Sequence, residues 1–314
     1  MKRILCAILC AAFCIGLCSC GTSDAPDDRG LQVVTTLFPY YDFARQIGGE
    51  DINVTLLVPA GRETHSFEPT PMDVVTVSEA DVFLYNGGES EYWVDEILES
   101  SGDNIPVVVR GMDLLDEMLE EEAIVDGQVA AESGHNEDKE YDEHIWTSPV
   151  VAMTLCRGIC QALCQADMAH AGHYRQRTEA YLSQLEALDA EFRDVVASGI
   201  RSEIVFGDRF PLLYFAREYG LTYSAAFHGC SSDTEPSLAT LKNLIDEVNA
   251  HNIPVIYTIE LSSGKVANAI AEATGSIVLS FHSCQSVTRQ EFDAGETYLS
   301  LMQKNVIALQ EGLS

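Results

Sequence analysis

Six imidazole and carboxylate groups stand at the ends of strand-like or loop-like runs in this chain. His65 follows "INVTLLV", inside the proline-rich loop "PAGRETHSFEPTP". His144 closes an acid-rich stretch in "DEHIWTSP", and Asp208 follows "EIVFG". His228 follows "LTYSAAF", Glu260 follows "IPVIYTI", and His282 ends "SIVLSF". Imidazole with carboxylate is a ligand set for zinc and, less selectively, for manganese or iron. Three or four such groups from separate strand ends can close a coordination shell that no short local motif supplies. Prolines 59, 69 and 71 restrict the loop around His65 and lower the entropy lost when that side chain is fixed. His135, His170, His173 and His251 read as solvated surface groups.

These groups need a scaffold that brings strand ends together. Strand and helix patterns alternate from "LQVVTTLF" to "IPVVVR", and again from "EIVFG" to a final helix over about 291–309. That rhythm implies two α/β lobes with mostly parallel sheets, in which ligands bind beyond the carboxyl ends of the strands. Between the halves, "HYRQRTEAYLSQLEALDAEFRDVVAS" carries Tyr174, Tyr181, Leu185, Leu188, Phe192 and Val195 as one apolar stripe. About 26 residues at 1.5 Å each give a spine of roughly 39 Å. The expected organisation is a signal peptide over 1–19, a tether over 20–30 and an amino-terminal lobe over 31–147. A helical linker with the spine covers 148–198, and the carboxyl-terminal lobe covers 199–314. Residues 116–143 hold twelve acidic residues and one basic residue, which reads as a flexible acidic loop of the first lobe.

The chain has 314 residues and a formal charge of −31, with no strongly basic stretch. Such a surface repels nucleic acid and anionic lipid and attracts cations. Lys2 and Arg3 followed by an apolar run to Leu17 form a secretory signal, too short for a stable membrane span. Its end, Leu17-Cys18-Ser19-Cys20-Gly21, resembles a bacterial lipobox, which implies acylation at Cys20 and a lipid anchor. Cys156, Cys160 and Cys164 recur every four residues, as small core residues along one helix stripe do. Cys230 and Cys284 are candidates for a disulfide outside the cytoplasm.

"PAGRETHSFEPTP", "DEHIWTSP", the spine helix, "YFAREYGL", "AEATG" and "YLSLMQKN" occur in one order over nearly the whole mature chain. Together they resemble the zinc/manganese solute-binding lipoproteins of bacterial metal ABC importers, the cluster that includes the ZnuA-type proteins. The resemblance implies a monomer that captures Zn²⁺ between its lobes and hands it to a permease. On it, His65 and His144 match the two ligands of the amino-terminal lobe. The family's third histidine, in a pattern like "FHDAYGYFA", falls on Gly207 of "FGDRFPLLYFA". His282 falls near the family's last carboxylate ligand and is expected to restore a third imidazole. The fourth position is open to water, Asp208, Glu260 or Cys284, with Asp208 preferred. Three imidazoles favour Zn²⁺ over Mn²⁺. A manganese-binding homologue, a surface adhesin and a zinc hydrolase are the other readings, although the chain has no HExxH and no evident nucleophile–base pairing.

Overall fold

The computed structural model describes residues 30–120, 124–125, 127–129, 141–229 and 235–314. The expected signal peptide, the expected tether up to 29 with Cys20, His135 and Cys230 lie outside the described residues.

The first sheet is fully parallel, because each of its strands is short, apolar and followed by a helix that crosses back over it. It comprises β1 (Leu31–Thr35), β2 (Ile52–Leu56), β3 (Val82–Tyr85) and β4 (Val107–Arg110), in the order β2-β1-β3-β4. The crossovers are α1 (Phe38–Gly48), α2 (Pro71–Ser78) and α3 (Trp93–Ser101). Thr70 opens α2 with a capping box to Asp73, and Pro71 sits at the first helical position, where its missing N–H costs nothing. The loop that carries His65 is therefore held at both ends, by β2 and by this cap.

The second sheet runs β10-β9-β7-β8-β6-β5. Its parallel part is β7 (Glu203–Phe210), β8 (Thr222–His228), β9 (Val255–Thr258) and β10 (Ile277–Ser280). The helices α6 (Leu213–Tyr219), α7 (Leu238–His251) and α8 (Lys265–Thr274) alternate with these strands. The edge comes from the acid-rich stretch expected as a loop of the first lobe. Its strands β5 (Ile124–Val125) and β6 (Gln128–Val129) form an antiparallel pair, and β6 pairs with β8. The final helix expected over 291–309 is two helices, α9 (Arg289–Ala294) and α10 (Tyr298–Leu313). Gly295, at φ 75°, ends the first in the left-handed region, and Thr297 caps the second.

Between the sheets lie α4 (Pro149–Ala166) and the spine α5 (Ala171–Ser198), whose 28 residues span about 42 Å. Tyr174, Tyr181, Leu182, Leu185, Leu188 and Phe192 of α5 are buried. At ~1.5–3 kcal/mol for each fully buried large apolar side chain, this face anchors the spine far more strongly than helix propensity does. One continuous core joins residues from both sheets and the spine. Polar ties reinforce it: the Tyr298 N–H donates to Asp42 Oδ2 at 2.9 Å, and the Tyr298 hydroxyl donates to the Trp146 carbonyl at 2.8 Å. Cys156, Cys160 and Cys164 lie on α4; the first two are buried, the third is half-buried, and all three are free thiols.

Candidate metal centre

The structure brings His65, Glu143 and His144 together, with one donor atom of each within 4.8 Å of the others. His65 lies in a short turn over Thr64–Ser66, beyond the carboxyl end of β2. Glu143 and His144 lie just before the turn Ile145–Thr147 that leads into α4, which Pro149 opens and Ser148 caps. Glu143 Oε1 stands 3.9 Å from His65 Nδ1, and the two imidazole rings are 6.0 Å apart between centroids. Glu143 and His144 are fully buried, and His65 is about one fifth exposed, so the group opens to water on the His65 side.

Each member is held from behind. Asp142 Oδ1 accepts the His144 backbone N–H at 2.8 Å and lies 3.3 Å from His144 Nδ1. A carboxylate in that position can orient an imidazole ring from behind. Glu143 Oε2 accepts the Ser90 N–H at 3.0 Å, and the Glu143 carbonyl accepts Asn86 Nδ2 at 2.8 Å. Glu143 Oε1 is buried with no hydrogen-bond partner, a costly state for a carboxylate oxygen and the one a cation relieves. Burial holds the His65 imidazole below its usual range, and the neighbouring His144 pushes it the same way. His65 is thereby neutral near pH 7, the state a metal ligand needs. Behind Glu143, burial raises the Glu91 carboxyl to about 7, with the charge of Glu143 adding to the effect.

His282 and Asp208 do not belong to this group among the described residues. His282 follows β10 and is buried, with Nδ1 3.6 Å from Glu260 Oε2 and Nε2 3.8 Å from Glu291 Oε2. Burial opposes its charged form, but the charge of Glu260 and then the side chains of Cys284 and Glu291 outweigh burial and raise the imidazole above its usual range. The Cys284 N–H, 2.9 Å from Nδ1, instead favours the neutral ring. Asp208 accepts the Thr258 hydroxyl at 3.0 Å and the Arg209 N–H at 2.9 Å, so its carboxylate is already engaged. Glu260 accepts from the N–H and hydroxyl of Ser283, Cys284 is a buried free thiol, and His228 is exposed at the end of β8.

Gly207 has a packing reason. A Cβ placed there would lie 2.4 Å from Ala267 Cα on α8, so a histidine requires that helix to move. After a register shift between Phe206 and Arg209, it is Arg209 that reaches across from β7, donating to Glu63 Oε2 at 2.8 Å. The segment after β10 also joins the two halves. Gln285 Nε2 lies 3.3 Å from His65 Nε2, the Gly61 N–H donates to the Val287 carbonyl, and Trp146 Nε1 donates to the Ser283 carbonyl. Glu143, Arg209 and Gln285 were not singled out from sequence. Glu143 had one visible signal, its place directly before His144; the other two depend on contacts more than 140 residues away.

Two parallel-sheet α/β lobes with a long helix, and two imidazoles and a carboxylate within reach of one ion, fit a solute-binding protein for a divalent metal. The family description "ZnuA: Zinc-uptake complex component A periplasmic" matches residues 33–312. The chain belongs to this ZnuA family, and it is a zinc-binding component of a metal import system. It is 33% identical over 301 residues to the high-affinity zinc uptake system protein ZnuA of Bacillus subtilis strain 168, covering 93% of this chain and 90% of that one. It is 33% identical over 314 residues to the zinc-binding lipoprotein AdcA of Streptococcus pneumoniae serotype 4, of whose length it spans 61%. Among solved structures, the metal-dependent lipoprotein YcdH of B. subtilis superposes with a TM-score of 0.76 at 31% identity, over 90% of this chain and 100% of that one. The laminin-binding protein Lmb of Streptococcus agalactiae, described as bifunctional in adhesion and metal transport, gives 0.76 at 25% identity, over 91% of this chain and 100% of that one.

Proposed function

We propose that this protein captures Zn²⁺ with His65, His144 and Glu143 as a pre-assembled donor set, with His282 as the candidate for the remaining position from the carboxyl-terminal lobe. It then delivers the ion to an ABC permease, working as a monomer anchored by a lipid on Cys20 and catalysing no reaction. The observation that carries this reading is the buried, unpartnered Glu143 Oε1 between two imidazoles. Two histidines and a glutamate are a zinc set, and a fourth donor from the carboxyl-terminal lobe would close the site around a cargo ion. Asp208 is assigned the positioning of Arg209 instead of a ligand role. No helix among the described residues is long and apolar enough to cross a membrane, so in this reading the lipid does the anchoring. The disulfide between Cys230 and Cys284 is not part of the proposal.

Zinc titration of the wild type and of single variants tests it. His65→Ala and Glu143→Gln are expected to weaken zinc by at least ~10-fold, about 1.4 kcal/mol. The same loss in His282→Ala assigns the fourth position. Unchanged affinity in Glu143→Gln overturns the donor set. Weak zinc affinity in the wild type, unchanged by His65→Ala, favours a surface adhesin.

A further inference from the structure

A second group of ligating side chains lies at the other end of the carboxyl-terminal sheet. Glu203 is the first residue of β7, whereas Arg209 at the cleft is six residues further on, about 20 Å at ~3.3 Å per residue. Glu247 and His251 sit one turn apart on α7, a spacing that puts both on one helix face. The three residues each offer one donor atom within 4.8 Å of the others.

We propose that Glu203, Glu247 and His251 form a peripheral divalent-cation site of the zinc class, separate from the transport cleft. His251 Nδ1 lies 2.6 Å from Glu203 Oε2, so imidazole and carboxylate are already drawn together. One side-chain oxygen of Glu203 and one of Glu247 lie within 4.8 Å of each other, which sets two acids side by side. Like charges so close need a shared proton or a cation between them. Glu247 Oε2 is shut off from solvent and has no hydrogen-bond partner, so a cation held between the acids would satisfy it. Leaving it so is unfavourable, and a bound cation relieves it. Ser224 of β8 and Gln128 of β6 neighbour the Glu247 side chain. Gln128 belongs to the acid-rich stretch, whose β6 pairs with β8 at Ser224. His251 is more than half exposed, which leaves the ion open to water and to exchange.

The site is therefore a shallow two-carboxylate, one-imidazole station on an acidic surface, able to take Zn²⁺ from dilute solution independently of the cleft. The decisive measurement is zinc stoichiometry on the full chain by equilibrium dialysis with Zn²⁺ as the only ligand. The wild type should bind two ions. His65→Ala combined with His144→Ala should keep one, and Glu247→Gln combined with His251→Ala should also keep one, with unchanged cleft affinity. His251→Ala alone should weaken the second ion at least ~10-fold. Co²⁺ should give d–d absorption in the cleft-deficient protein that is lost with His251. Thermal unfolding of the metal-free variants identifies any that have not folded, and Glu203→Gln serves as the conservative replacement. A wild type that binds one ion, or a cleft-deficient protein that folds and binds none, overturns the proposal without touching the cleft.

Discussion

Glu91 offers a quantitative test of the electrostatics behind the cleft. Its carboxyl is 3% exposed and accepts the Gly87 N–H at 2.6 Å, yet burial and the nearby Glu143 raise it from 4.5 to about 7. An acid with a raised folded-state pKa binds its proton more tightly when folded. Its contribution is fully present below pH 4.5 and is lost as pH rises through 7. A rise from 4.5 to about 7 is worth about 3 kcal/mol, at 1.36 kcal/mol for each tenfold change in proton affinity. Glu91→Gln keeps the shape and an acceptor for Gly87 but cannot ionise. The variant should therefore gain stability relative to the wild type by about 3 kcal/mol between pH 4.5 and 7.5. The assay is urea unfolding with chelator present, because bound zinc adds its own stabilisation. Trp93 and Trp146, both buried, report the transition by fluorescence. Stability curves that run parallel for the two proteins across that window would refute the reasoning and mean that Glu91 is already ionised in the folded state.

Other outcomes follow from single contacts. Gly207→Ala should destabilise by about 1–3 kcal/mol in thermal or urea unfolding, since its Cβ meets the backbone of α8. Gly207→His should fail to improve zinc affinity for the same reason. Glu63→Ala releases the Arg209 guanidinium beside the cleft and should weaken zinc several-fold in titration, whereas Arg209→Ala should strengthen it. Asn305→Ala should cost about 2–4 kcal/mol in urea unfolding. It removes the 2.7 Å bonds that Asn305 makes to both the N–H and the carbonyl of His282, and leaves those buried groups unpaired.

The sequence by itself determined the alternation of strands and helices, the spine, and the presence of His65 and His144 at element ends. These are written in local period and punctuation: apolar runs of strand length, a 3.6-residue stripe through Phe192, and the prolines and caps that start α2 and α4. It also carried the order of motifs that marks the family. Only the tertiary structure decided which donors meet. Glu143 joins His65 across 78 positions because the chain before α4 packs against the loop after β2, and no local pattern encodes that approach. The same holds for β5 and β6, whose acidic context reads as loop until β8 offers an edge to pair with. His251 reads as a surface group with Glu247 one turn away on its own helix, and gains the second carboxylate, Glu203, only when β7 is laid beside α7. A residue's type sets what chemistry it can do, but its partners are fixed by long-range packing, where one register shift in β7 puts Arg209 at the cleft and shuts Gly207 against α8.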